Sequence, residues 1–350
     1  MASTRILRLA FGTALSLWIS QAVGWTISYI APIITLVLLA MPIPRPKPKF
    51  FVVVVLAMTL SIFGSFVFLP MLLHQKLVGL LLLCLALFHA FYVAAKGGPA
   101  VVSTLITIGL ALTVAVGSVS VDALIAVAQG LFIGASAGAA VAILSHAVLP
   151  DREQPAAQIE SADGHAATAA PPVDLAVARR NAFRSLTVVF PILFWFLLSA
   201  ASASNMAVMI KVAAMGQEVS HMGARKAARS LIASTVVGGF AATLAWQVLS
   251  IWPSLTMYVL LIALAGLVFG RRIFEGDGPA ADADTWQYAY LTMIVVLAPS
   301  VMDSNFGSSA DAAFYGRLMM FAWATLYAVV AVYVFDALWP QRTHRRRGSE

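Results

Sequence analysis

Uninterrupted apolar runs of about 20 residues, one after another along the chain, constrain this sequence most; "KLVGLLLLCLALFHAFYVAA" at 76–95 is representative. A run of that length matches the hydrocarbon core of a bilayer when helical. In lipid only helices and closed barrels satisfy their own backbone hydrogen bonds. A barrel would show segments of about 10 residues alternating apolar and polar, and these runs do not alternate. The expected fold class is therefore an all-α polytopic membrane protein. The chain is 61% hydrophobic and only 11% charged, against about 25% charged in soluble domains. That balance excludes a soluble enzyme, a secreted disulfide scaffold and a disordered regulator. Cys84, the single cysteine, cannot form an internal disulfide and is expected as a small buried hydrophobe.

The runs number about twelve, each near the length a spanning helix needs. Six fall at 6–24, 26–42, 50–70, 76–95, 99–117 and 122–149, and six at 182–201, 204–220, 229–250, 254–270, 286–302 and 312–339. The net charge of +7 is assigned to topology and not to nucleic acid, because the basic residues concentrate in alternate loops. Arg5 and Arg8 precede the first run; Arg45, Lys47 and Lys49 follow the second; Lys96 follows the fourth. Arg152, Arg179, Arg180 and Arg184 lie at the centre, Arg225, Lys226 and Arg229 after the eighth run, and Arg271 and Arg272 after the tenth. Arg342, Arg345, Arg346 and Arg347 form the tail, and the opposite side carries Lys76 alone. The expectation is a multi-pass protein of the bacterial inner (plasma) membrane with both termini cytoplasmic. The first run is expected to be retained, since no A-x-A cleavage pattern follows it.

The stretch 151–178, "DREQPAAQIESADGHAATAAPPVDLAVA", is polar and Ala/Pro-rich and is expected as a disordered cytoplasmic linker. It separates a first six-helix membrane unit at 1–150 from a second at 179–341, with a basic tail at 342–350. The units resemble one another. "TRILRLAFGTALSLW" (4–18) parallels "RNAFRSLTVVFPILFW" (180–195), and the run 122–150 parallels 312–340 without a gap, matching His146 to Asp336. An even number of spans per unit gives a parallel repeat, so the expected architecture is about twelve transmembrane helices as two parallel six-helix repeats.

On "RILRLAFGTALSLW", "YIAPIITLVLLAMPIPRPKPKF" and "MAVMIKVAAMGQEVSHMGARKAARSLIASTVVGG", the chain resembles the fusaric acid resistance and aromatic acid exporter superfamily, as a compact membrane-only branch. The shared pattern is an Arg-bearing first helix, a second helix running into a basic loop, and a small-residue-rich third helix. The resemblance implies efflux of small aromatic or carboxylate compounds, with a periplasmic membrane-fusion (adaptor) protein as a partner.

Charges inside apolar runs mark candidate sites, because each costs at least about 2.5–3.5 kcal/mol to insert and therefore faces a partner or a cavity. Lys211 lies about 10 Å into its run and is a candidate cation for an anionic substrate, weighed against a snorkelling or structurally paired lysine. Asn205 and Met209 are expected to line the same space. Arg317, about 9 Å deep, offers a planar fork for a carboxylate, weighed against a salt bridge to Asp303 or Asp311. Asp303 and Asn305 are placed at the outer mouth after Pro299, Asp303 as a gating or proton-accepting group. Glu218 and His221 follow Lys211 at helical spacing as a proton or substrate path, weighed against a solvated helix end. His89 is expected to be buried among aromatics. Asp336 and His146 are expected to fix the linker and tail. Gly130, Gly134 and Gly138 form a ladder for close helix approach. Pro32, Pro191 and Pro299 are expected to loosen helices beside a cavity. Met206, Met209 and Met215 are candidate walls of an apolar pocket, weighed against core packing.

No nucleophile elbow, phosphate loop or metal-ligand spacing is present in the sequence, so no enzymatic activity, cofactor or metal is expected. The leading expectation is a proton-motive-force-driven exporter of small hydrophobic or aromatic organic anions, embedded in the lipid bilayer and compatible with a homo-oligomer. The alternatives are a passive anion channel and an accessory membrane subunit of an export or assembly complex.

Overall fold

The computed structural model describes residues 2–41, 48–98, 100–150, 174–198, 206–275, 278–303 and 308–340. Twelve helices account for nearly all of them. The first six are α1 (Ala2–Ala22), α2 (Ile30–Ala40), α3 (Pro48–His74), α4 (Lys76–Ala95), α5 (Ala100–Gly117) and α6 (Val121–Val148). The second six are α7 (Leu175–Leu198), α8 (Met206–His221), α9 (Ala224–Ile251), α10 (Leu255–Ile273), α11 (Ala283–Asp303) and α12 (Ser308–Leu338). A two-residue antiparallel ladder, β1 (Phe274–Glu275) with β2 (Gly278–Pro279), closes the loop between α10 and α11. Six helices, α3, α4, α6, α9, α10 and α12, are long and apolar enough to cross a membrane. This is a multi-pass, all-α membrane protein.

Burial sorts the helices into an outer and an inner set. The six long helices expose rows of large side chains, such as Leu56, Leu60, Phe63 and Val67 on α3 or Val236, Phe240 and Leu244 on α9. Such faces suit lipid, which is as apolar as they are. The inner set is α2, α5, α8 and α11. Every residue of α2 is buried, as are Thr107–Gly117 of α5 and Ala289–Ser300 of α11. Within the inner set α5 packs on α8, α8 on α11, and α2 on α11.

The contacts also pair across the two groups of six. α1 packs on α2 and α6, and α7 packs on α8 and α12. α3 meets α5 and α6, and α9 meets α11 and α12. α1 crosses to α10, and α4 crosses to α7.

Several expectations are corrected. The second run is not a helix from residue 26: α1 ends in a turn with Gly24 at φ 73°, where glycine avoids the Cβ clash of left-handed backbone. The next helix starts only at Ile30. Pro32 sits in its first turn, where a missing N–H costs nothing, so it does not loosen α2. Pro191 and Pro299 do lie inside helices, and so does Pro70. The helix α7 starts at Leu175, inside the stretch 151–178 read as a linker. Residues 151–173 of the linker, the tail 342–350 and Asn305 lie outside the described residues. His89 is exposed on α4 and not buried among aromatics, and Cys84 is only half-buried.

The glycine ladder of α6 packs against α2. A Cβ added at Gly134 would lie 2.7 Å from Ile30 Cγ2, and one at Gly138 would lie 2.6 Å from the Ala31 carbonyl oxygen. Thr35 uses that closeness, donating to the Gly138 carbonyl at 3.1 Å.

Candidate functional site

The interior polar groups converge on α8. This helix places Lys211, Gln217 and Glu218 inside the protein, all almost wholly buried. A buried charge or amide is tolerated only with partners. Lys211 finds one on α11: its Nζ donates to Thr292 Oγ1 at 2.7 Å. Thr292 in turn donates to the Tyr288 carbonyl at 2.7 Å within its own helix. Gln217 reaches the other way, its Nε2 donating to Ser103 Oγ at 3.0 Å and Thr107 Oγ1 at 3.1 Å on α5. α8 is thus bonded through side chains to a helix of the first six and to a helix of the second six.

Glu218, two turns after Lys211 on the same face, differs from both. Neither carboxylate oxygen has a hydrogen-bond partner, although the residue is 1% exposed. Lys211 and Asp284 are close enough to act on it electrostatically, and the Ser230 hydroxyl lies near it without a hydrogen bond to either oxygen. The Ser230 hydroxyl, however, is hydrogen-bonded to Thr285 Oγ1 at 2.7 Å.

Glu218 opens into a cavity of about 360 Å³ between the inner helices, within the range of small-molecule pockets. Val37 of α2, Met41 just after it and Ile108 of α5 supply apolar wall on one side, and Met222 and Leu291 on the other. The polar groups on the wall are Thr104, Gln217, Gln287 and Tyr288, and the ionisable acids are Glu218 and Asp284. Asp284 is exposed, at the mouth, in the first turn of α11; a carboxylate there is also favoured by the helix dipole. The mouth lies at the end of the bundle carrying Arg225, Lys226, Arg271 and Arg272. Two of these cations have partners: Lys226 Nζ lies 3.4 Å from the Ala281 carbonyl, and Arg272 sits 5.4 Å from the centre of the Trp286 ring.

The sequence-derived candidates distribute as follows. Lys211 and Glu218 are brought together on one stripe, but only Glu218 is on the cavity wall. Arg317 is buried on α12, donating to Ser300 Oγ at 3.1 Å. Ser300 is eight residues beyond Thr292 on α11, about 12 Å along the axis, so Lys211 and Arg317 engage one helix at separate levels. Asp311, weighed as a partner of Arg317, accepts instead from Trp246 Nε1 at 2.7 Å. Met209 does not share the Lys211 face: two residues along a helix point apart. It packs with Ala111, Val189, Leu193 and Phe196 between α5 and α7. Met215 is in the core. Asn205 lies outside the described residues, and the side chains of His221 and Asp303 lie outside the described side chains.

Three site residues were not singled out in the sequence. Gln217 had a signal, an amide beside Glu218 in an apolar stretch. Asp284 had none, because it is one of three aspartates, with Asp277 and Asp282, in the short stretch just before the eleventh run. Arg184 was counted as a topological loop charge, yet it is 2% exposed within α7. Its guanidinium donates to the Val219 carbonyl at 2.6 Å and to the Met222 carbonyl, at the C-terminal end of α8. It also pairs with Asp336 of α12 at 3.2 Å, and Arg180 pairs with the same carboxylate. A cation over unsatisfied helix-end carbonyls is favourable in charge and in hydrogen bonding. Asp336 therefore secures the start of α7, and through Arg184 the end of α8. His146, its counterpart in the sequence, lies 2.9 Å by Nδ1 from the Ala142 carbonyl of its own helix.

The family described as "Protein of unknown function (DUF2955)" matches residues 5–147, the stretch that holds α1–α6 and less than half of the 350 residues. No curated protein matches the chain, and no solved structure matches it.

Proposed function

We propose that this protein is a proton-coupled membrane transporter that exports small hydrophobic or aromatic organic anions. The observation that carries the reading is the buried Lys211–Glu218 stripe on α8, opening into a cavity walled by α2, α5, α8 and α11. Ionisable groups inside a membrane protein mark ion and proton pathways. Polar side chains bind α8 to α5 on one side and α11 on the other, so a change of charge at Glu218 is felt in both groups of helices. The basic rim draws an anion to the mouth. The acidic wall then requires that a carboxylate enter together with a proton, which Glu218 is placed to share.

The wider frame is part of the same proposal. The matched packing of α1–α6 and α7–α12 supports a parallel repeat of two six-helix units, with α2 and α8, and α5 and α11, as equivalent helices around the cavity. Twelve membrane-embedded helices, the short α2 among them, with both termini cytoplasmic in the inner membrane, place the basic rim on the cytoplasmic side. The arrangement suits the fusaric acid resistance and aromatic acid exporter superfamily, with a periplasmic adaptor protein as partner. A passive anion channel is the weaker reading, since passage along the Glu218 and Asp284 wall requires a proton to accompany the anion, and an open pore does not couple the two. A purely accessory subunit leaves the cavity without a use.

The test is transport in proteoliposomes containing the purified full chain. With an imposed pH gradient, radiolabelled benzoate is expected to move against its concentration gradient, and an uncoupler is expected to abolish this. E218Q is expected to retain downhill exchange while losing the response to the pH gradient. No benzoate movement above protein-free liposomes, with or without the gradient, would overturn the reading.

A further inference from the structure

The sequence points to cations as the ligand-facing charges, yet the cavity presents the opposite sign. Lys211, the buried cation nearest it, is turned to Thr292 and is not on the wall. Two carboxylates are, at different depths: Asp284 at the mouth, and Glu218 at the inner wall with both oxygens unpartnered. Counting only the wall and the Lys211 beside it, the two carboxylates leave a formal charge of −1; the basic residues of the rim lie outside the wall. The two nearby rim cations with described partners are held by a carbonyl and an indole ring.

A carboxylate deprived of water and hydrogen-bond donors gains most from a ligand that brings both positive charge and N–H groups. The cavity volume, about 360 Å³, exceeds what one inorganic ion needs and falls within the range for small molecules. Val37, Ile108 and Leu291 give it apolar wall for a hydrocarbon body, and Tyr288 adds an aromatic ring of the kind that attracts ammonium groups.

We propose that this cavity is a binding site for a small organic monocation, an ammonium carried on a compact apolar or aromatic body, with Glu218 as its buried counter-charge and Asp284 as the acid at the mouth. The ammonium displaces no existing hydrogen bond of Glu218, and its body replaces water along the apolar wall. The inference goes beyond anion export: it concerns a cationic ligand of the same vestibule, and it is read by binding alone.

The test uses the purified full chain in detergent, titrated with 2-phenylethylamine, its neutral isostere 2-phenylethanol, and phenylacetate. Intrinsic tryptophan fluorescence and thermal shift report binding. The amine is expected to bind saturably and at least about tenfold more tightly than the alcohol. D284N, at the exposed mouth, is expected to weaken the amine by about threefold and leave the alcohol unchanged. E218Q is expected to abolish the preference for the amine, and E218D, which keeps the charge, to restore much of it. If E218Q does not fold, D284N and E218D decide. Equal binding of amine and alcohol, or an undiminished amine preference in the folded variants, would overturn the proposal. Tighter binding of phenylacetate than of the amine would also overturn it while leaving anion export standing. Amine binding without benzoate transport in proteoliposomes would separate the two readings the other way.

Discussion

The Lys211 ammonium donates to the Thr292 hydroxyl at 2.7 Å, joining the middle of α8 to the middle of α11. Both residues are wholly buried, so this bond and the nearby Glu218 carboxylate hold the charge of the interior in balance. Thr292→Val keeps the shape and removes the acceptor. It is expected to cost about 1–3 kcal/mol, the cost of leaving a buried donor unsatisfied, while Thr292→Ser restores most of it. Thermal unfolding in detergent distinguishes the two; equal stability of the Val variant and the native chain would refute the role given to this bond.

Lys211 and Glu218 are expected to be energetically coupled. The two charges are not in contact but share one buried stripe, so removing one leaves the other less compensated, whereas removing both is milder. Lys211→Met should therefore destabilise the protein more than the double variant Lys211→Met/Glu218→Gln. A double-mutant cycle on unfolding free energies measures this, and additive effects would show that the two groups do not sense each other.

Arg184 is expected to hold the end of α8 in place. Arg184→Met removes a buried guanidinium from the Val219 and Met222 carbonyls and from Asp336, a loss of about 3 kcal/mol or more. Trypsin should then cleave faster at Arg225 and Lys226, just beyond α8. Asp336→Asn should give a weaker effect of the same kind, because the carbonyl bonds remain. Unchanged cleavage in Arg184→Met would rule out the anchoring role.

Gly138→Ala tests the seat of α2. The added methyl meets the Ala31 carbonyl oxygen at 2.6 Å and Ile34 Cβ at 3.0 Å, and backbone does not step aside as a flexible side chain can. Overpacking of this kind costs about 1–3 kcal/mol. Because α2 also supplies Val37 and Ala40 to the cavity, ligand affinity should fall with stability. Unaltered thermal stability would mean that the helices separate freely at this point.

The sequence carries the membrane class and the sites of the helices plainly, because apolar runs of spanning length leave little choice of structure. It also carries Lys211, Glu218 and Arg317 as buried charges, since an ionisable residue far inside such a run has to be enclosed or partnered. Which groups they face was not legible. Partnership depends on rotation about each helix axis and on which helices are neighbours, and the hydroxyls of Thr292 and Ser300 look ordinary in sequence. Arg184 is hidden for a related reason: an arginine at a run's edge has the same local pattern whether it meets solvent or another helix's carbonyls. Asp284 was invisible because the polar loop before α11 hides one functional acid among several solvated ones.

α2 has eleven residues, about 16 Å of helix, roughly half of a hydrocarbon core about 30 Å thick. It also has no face left for lipid. Such a segment gains little by leaving the translocation machinery alone. It settles only when a grooved surface exists to receive it, and that groove is the glycine ladder of α6, synthesised about a hundred residues later. Biogenesis of the first six helices is therefore expected to be post-insertional at this point, with the future cavity wall parked outside its final seat until α6 has entered the membrane.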